Sequence, residues 1–237
     1  MTVKNQQMYD DFQLVFNNLA SNLAAGLTPF EISMYLTKAY FELVDTYYRN
    51  YEQSEEARKA LVDLVKTVKL NNSDLISVPN NIDKIVPTSL LYKLPTRTQG
   101  DTTVDEVLYI VYEALTYNQL ANKCLRGKTA EVIPVSHDDF HQVYENPFKF
   151  NNKKALRLDL TVPSVGRVSE IVSKDNNIEY YTLRYVSKPK PIILEQLYGN
   201  DSIEGLQTET ECEITTSLHS KIVRLAAQMA MQDYKAA

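Results

Sequence analysis

A chain of 237 residues, 44% of them hydrophobic, has the apolar material for one large domain or two small ones and is not the composition of a disordered protein. Its net charge of -5 and pI of about 5.3 exclude the all-over basic footprint of a protein that grips nucleic acid. There is no run of about eighteen apolar residues, and the opening MTVKNQQMYD lacks the apolar stretch of a signal peptide, so neither a membrane span nor export by the general route is expected.

The first seventy residues read as three helices. Met8, Phe12, Val15, Phe16, Leu19 and Leu23 form one apolar stripe, with Gly26 in the position of a left-handed cap. Thr28-Pro29-Phe30-Glu31 then supplies a capping hydroxyl, a proline at the first helical position and a glutamate able to bond back. Leu27 and Ile32 are placed as a hydrophobic staple. The spacing of Leu36, Ala39, Leu43 and Tyr47 carries that helix to about Tyr48. Ser54 is placed to cap a third helix, with Glu55 and Glu56 in its first turn and Lys66 and Lys69 in its last, which is the order a helix dipole favours. Its buried face would be Ala57, Leu61, Leu64, Val65 and Val68.

From Asn71 onward β-branched residues come in short runs broken by Asn-Asn, Pro and Gly. Leu75 to Val78, Lys84 to Val86 and Leu90 to Leu94 are predicted strands, with Asn80-Asn81 and Pro87 as breaks. Val104 to Tyr117 fits a buried strand or a buried helix by periodicity, and its β-branched and aromatic content favours the strand. Glu131 to Pro134 reads as a strand, and Asp138 to Tyr144 as a short helix stopped by Asn146-Pro147. Ala155 to Leu160, Arg167 to Val172 and Ile178 to Val186 alternate, and Asp175-Asn176-Asn177 predicts a hairpin turn between the last two.

The strand that ends near Ser187 must stop there, because Pro189 and Pro191 lack the N–H a ladder needs. Pro191 to Leu194 is then an extended apolar exit, expected along a sheet edge or a neighbouring chain. A closing helix follows, with Leu218, Ile222, Leu225, Ala226, Met229 and Ala230 on one face and Ser220, Arg224 and Gln228 on the other. The expected fold class is α+β: N- and C-terminal helices form a helical bundle (1–70 and 211–237) with an inserted β-rich region (71–210).

Chemistry-bearing clusters are sparse. His137, Asp138, Asp139 and His141 form HDDFH, where the histidines at i and i+4 could share a helix face and hold a metal. The rival reading is a helix start whose aspartates satisfy free N–H groups. There is no GxSxG, GxxxxGK[ST] or GxGxxG, and Cys124 and Cys212 lack a CxxC partner, so no enzyme, metal or cofactor is expected and Cys212 reads as a small buried hydrophobe. Glu209, Glu211 and Glu213 alternate onto one side, facing DNA as a repulsive lining or facing water. Lys149, Lys153, Lys154 and Arg157, like Arg184, Lys188 and Lys190, suit acidic surfaces of adjacent subunits better than phosphates on so acidic a chain.

The order VIPVSHDDF, NPFKF, the basic RY-x-x-KP-x-PIIL run, EC-x-I and LHSKIV before an alanine-rich helix resembles a family of tailed-phage virion proteins. These are the ring or head-to-tail adaptor proteins of crAss-like phages, stacked below the portal at the neck, and the likeness runs from about Leu27 to Met229. It implies a virion protein assembled in the host cytoplasm as a dodecameric ring. Its partners would be the portal protein, other neck and tail rings, and double-stranded DNA passing through the lumen without sequence recognition. Ring closure requires two different faces of each copy to meet. Arg184, Tyr185, Lys188, Pro189, Lys190, Pro191, Ile192, Ile193 and Leu194 are the expected inter-subunit contact. The alternatives are a nucleic-acid-binding packaging accessory and a metal-dependent hydrolase built on HDDFH.

Overall fold

Helix α2 (Pro29–Arg49) starts where its cap chemistry dictates. The Thr28 hydroxyl accepts the Glu31 N–H at 3.3 Å, and the Glu31 carboxylate accepts the Thr28 N–H at 2.8 Å, so each of two otherwise orphaned donors finds the other residue's side chain. In this computed structural model, residues 1–20, 26–76, 84–99, 102–163, 165–199 and 201–236 are described. Helix α1 (Val3–Ala20) buries Met8, Phe12 and Phe16. Leu23 and the chain leading into Gly26, where this helix was expected to end, lie outside the described residues, as do Ser77, Val78 and Asn80-Asn81.

The third predicted helix is cut short. Ser54 does cap α3, accepting the Ala57 N–H at 3.3 Å, but α3 (Glu55–Ala60) gives way to a single tight turn and then to strand β1 (Val65–Leu70). Lys66 and Lys69 therefore close no helix: Lys66 pairs with Glu106, and Lys69 sits over the Tyr180 ring, 4.5 Å from its centre. Val65, Thr67 and Val68 are β-branched, and a ready ladder partner in the last strand outweighs the helical pattern.

The remaining strands are β2 (Leu90–Lys93), β3 (Thr96–Gln99), β4 (Thr102–Asp105), β5 (Val107–Tyr117), β6 (Thr129–Pro134), β7 (Lys154–Val162), β8 (Gly166–Val172) and β9 (Ile178–Ser187). Helix α4 (Phe140–Tyr144) lies between β6 and β7, and α5 (His219–Ala236) closes the chain. Val104 to Tyr117 thus resolves as strand. Lys84 to Val86 is not one: it bends, and the Ile85 N–H is taken by the Glu170 carboxylate at 2.9 Å. Leu75 makes only a single bridge, to Tyr92.

Seven strands form one sheet in the order β1-β9-β5-β6-β7-β8-β2, antiparallel except for β6 with β7, while β3 and β4 form a separate ribbon. β8 and β9 are not neighbours, so the expected hairpin at Asp175-Asn176-Asn177 is wrong. The turn chemistry is present, with the Asp175 carboxylate accepting the Asn177 N–H at 2.9 Å, but it links strands separated by three others. So short a link is possible because the sheet curls. Leu70 of β1, Tyr92 of β2 and Tyr181 of β9 meet in one core, with the two tyrosine rings 5.4 Å apart. Register shifts along β5 against β9 add twist in the same sense.

The chain divides into two compact units: a helical unit (1–64, 98–103 and 188–237) and a sheet unit (65–97 and 104–187). Within the helical unit α5 packs on both α1 and α2. Its buried face is Ile222, Val223, Ala226, Ala227 and Ala230, turned from the expected stripe so that Leu225 and Met229 are left half-buried. Small alanines on two adjoining rows let two helices approach one. The fold is α+β, a mixture of few helices and a curled sheet.

Candidate functional site

β9 ends at Ser187, as the two prolines require, and the extended run Pro191–Leu194 is hydrogen-bonded to a helix along one edge and bridged to Thr210 along the other. The Ile192 N–H donates to Thr37 Oγ1 at 3.0 Å, and the Leu194 N–H donates to Ser33 Oγ at 3.1 Å. Ser33 and Thr37 are one helical repeat apart, about 6 Å along the axis. Alternate N–H groups of an extended chain are about 6.6 Å apart. Two hydroxyls on α2 thus serve as a substitute ladder.

The other edge of the run is held by Thr210, whose N–H donates to the Ile193 carbonyl at 3.0 Å, and by Asn5, whose Nδ2 donates to the same carbonyl at 3.1 Å. Ile192, Ile193 and Leu194 are wholly buried. Nothing in the local sequence announces Ser33 and Thr37 as anchors. The available signal is two hydroxyls four apart on a face otherwise made of Ile32, Leu36 and Tyr40.

Of the nine residues expected at an inter-subunit contact, Arg184 and Tyr185 belong to the sheet unit and the other seven to the helical unit. Arg184 and Lys190 are exposed, Lys188 is half-buried, and Tyr185, Pro189 and Pro191 are buried with the three aliphatics. The Arg184 Nε donates to Thr67 Oγ1 at 3.2 Å, while Lys188 pairs with Glu204 at 2.8 Å and Lys190 with Glu213 at 3.2 Å. The alternating carboxylates are engaged as well: Glu211 pairs with Lys4 at 3.1 Å, and Glu209 accepts from Asn5 Nδ2 at 3.0 Å. Cys212, between Glu211 and Glu213, is buried, and burial pushes its thiol up to about 11.

HDDFH does not form a helical metal face, because α4 begins only at Phe140 and leaves His137 outside it. The His137 Nε2 lies 3.2 Å from the Asp159 carbonyl, and no grouping of three possible metal ligands occurs among the described residues. Nor do the aspartates cap: Asp139 makes no side-chain cap bond. It takes part in a local turn in which Ser136 Oγ accepts its N–H at 3.2 Å and donates to its carboxylate at 2.8 Å.

An ionic cluster, buried except at the exposed Asp159, was missed in the sequence. Glu113 (β5), Arg157 and Asp159 (β7), Ser169 (β8) and Tyr181 (β9) converge within the curled sheet. Arg157 Nη1 meets Asp159 at 2.9 Å, its Nε lies 3.2 Å from Glu113 but out of line for a hydrogen bond, and the Tyr181 hydroxyl donates to Glu113. Burial pushes the Glu113 carboxyl up despite the opposing pull of Arg157 and Tyr181, and the Tyr181 phenol is pushed up by burial and by Glu113. The signal was parity: Glu113 alternates with Leu115 and Tyr117, and Arg157 with Ala155, so both had to point where the core is. These charges face one another, an arrangement that locks strands in register.

The chain belongs to the family of phage tail ring protein 3/4, whose model matches residues 1–237. It is similar to Ring protein 3 of Bacteroides phage crAss001, 30% identical over 236 residues covering 96% of this chain and 94% of the relative. It is similar also to Ring protein 4/5 of the same phage, 29% identical over 231 residues covering 95% and 91%. The family read from the ordered segments VIPVSHDDF to LHSKIV is thereby the one shown.

Proposed function

We propose that this protein is a non-enzymatic virion component that forms a dodecameric ring at the portal and neck of a tailed phage, extends the DNA channel after packaging and connects head to tail. Its partners in this reading are copies of itself, the portal protein, other neck and tail rings, and duplex DNA that passes without being read. The observation that carries it is the match of a ring-protein family to the whole of residues 1–237. Two relatives named as different rings of one phage add support, since a fold used more than once in a virion suits rings that stack on like rings.

The acidic balance of the chain agrees with a lumen that attracts DNA weakly or not at all. Within this reading the terminal helices act as one bundle that frames each protomer, with the sheet region inserted between them. Of the Arg184 to Leu194 run, the exposed heads of Arg184 and Lys190 are the parts offered to a neighbour. Cryo-electron microscopy of virions that carry the protein tests the proposal. An annular density at the neck that accepts this fold is expected; its absence there, or turnover of a substrate by the purified chain, sinks it.

A further inference from the structure

Two aromatic side chains stand out from the surface on pinned turns, in opposite electrical surroundings. Phe148 is 85% exposed, at the tip of the NPFKF turn. Asn146 holds that turn by accepting the Phe148 N–H on its side chain at 2.9 Å and the Lys149 and Phe150 N–H groups on its carbonyl at 3.0 and 2.9 Å. Phe150 anchors it, buried and stacked on Tyr144 with ring centres 5.0 Å apart. Tyr198 is 80% exposed beside Gly199, whose φ of 70° makes the reversal. Gln207 holds this second turn, its carbonyl accepting the Leu197 N–H at 2.8 Å and its side chain donating to the Gly199 carbonyl at 3.1 Å, while Leu197 is the buried anchor.

Each turn thus sinks one apolar residue and presents an aromatic one beyond it. Burying such a ring is favourable, a gain that neither ring takes within the chain. The charges around them are complementary. Lys149 and Lys153 are exposed beside Phe148, Glu195 and Asp201 are exposed beside Tyr198, and among the described residues none of the four makes an ion pair. The same polarity holds for the units that carry them: the sheet unit has fifteen basic and thirteen acidic residues, a net +2, and the helical unit ten and seventeen, a net -7.

A closed ring needs two different, mutually complementary patches on every copy. We infer that the Phe148 turn of one protomer docks against the Tyr198 turn of the next, Lys149 and Lys153 facing Glu195 and Asp201. This rests on the ring reading and names the surface that closes the ring.

The test uses the full chain with Cys124→Ser, so that an exposed thiol does not interfere. Chains carrying Asn152→Cys and Gln196→Cys, exposed positions beside the two rings that leave both rings in place, are mixed and oxidised, and the parent chain is imaged in parallel. A disulfide-linked pair formed between the two kinds of chain, in excess over like-with-like pairs, is expected alongside annuli. Annuli without that link overturn this surface and leave the ring reading standing. The link without annuli keeps the contact and overturns the ring. Neither link nor annuli overturns both. Lys149→Glu with Lys153→Glu should lower the linked fraction about tenfold, and adding Glu195→Lys with Asp201→Lys to the same chains should restore it. Loss without restoration overturns the charge pairing.

Discussion

Thr37 shows how one hydroxyl can decide the path of a distant segment. Its Oγ1 is the partner of the Ile192 N–H in a place where both groups are buried, so Thr37→Val keeps the shape and leaves that donor unsatisfied. The expected loss of stability is about 1 to 3 kcal/mol, and Ser33→Ala should act similarly through the Leu194 N–H. Urea unfolding of the two variants measures this; losses near zero for both would mean the run is held by apolar burial alone. Glu113 supplies a different kind of signature. Its folded-state pKa is raised, chiefly by burial, with Arg157, Tyr181 and Asp159 the charged or titratable groups around it. The folded state therefore holds the proton more tightly than the unfolded chain, so stability falls as pH rises from the ordinary carboxylate range through the raised value. Glu113→Gln should flatten that part of the profile, read from thermal midpoints between about pH 4 and about pH 8. An unchanged slope would show that other groups set it.

Elements whose cause is local were legible, and those whose cause is a remote partner were not. Helix α2 starts at Pro29 because Thr28 and Glu31 are three residues apart, which the sequence displays outright. Removing that cap with Thr28→Ala should cost about 1 kcal/mol and fray the first turn, seen as faster amide exchange at Glu31. Exchange unchanged there would mean tertiary packing holds the start. β1 was misread as helix since its fate depends on β9, with Val65 facing Val186 more than a hundred residues later. The Asp175 turn was read rightly as a turn and wrongly as a hairpin, for its side-chain bonds are local while the choice of strands to be paired belongs to the curled sheet. In the candidate site the prolines announced where β9 ends. Ser33 and Thr37 gave no such notice: a hydroxyl on a helix face has meaning only once the segment that uses it is known.

At the scale of the molecule, the chain crosses four times between a helical unit and a sheet unit, at 64/65, 97/98, 103/104 and 187/188. Each has its own buried core, with Ile193, Leu197 and Ile203 clustered in one and Leu115, Tyr181 and Leu183 in the other. Chains with two cores often depart from all-or-none unfolding. Calorimetry of the full chain should therefore show two heat absorptions, and the residue-scale variants assign them. Thr37→Val belongs to the helical unit and should lower one transition. Glu113→Gln belongs to the sheet unit and should alter the pH response of the other alone. If both variants moved a single common transition, the units would be one cooperative body, and a ring built from this chain would transmit strain at one unit directly to the other. Two independent transitions would instead let each unit adjust while the other keeps its shape.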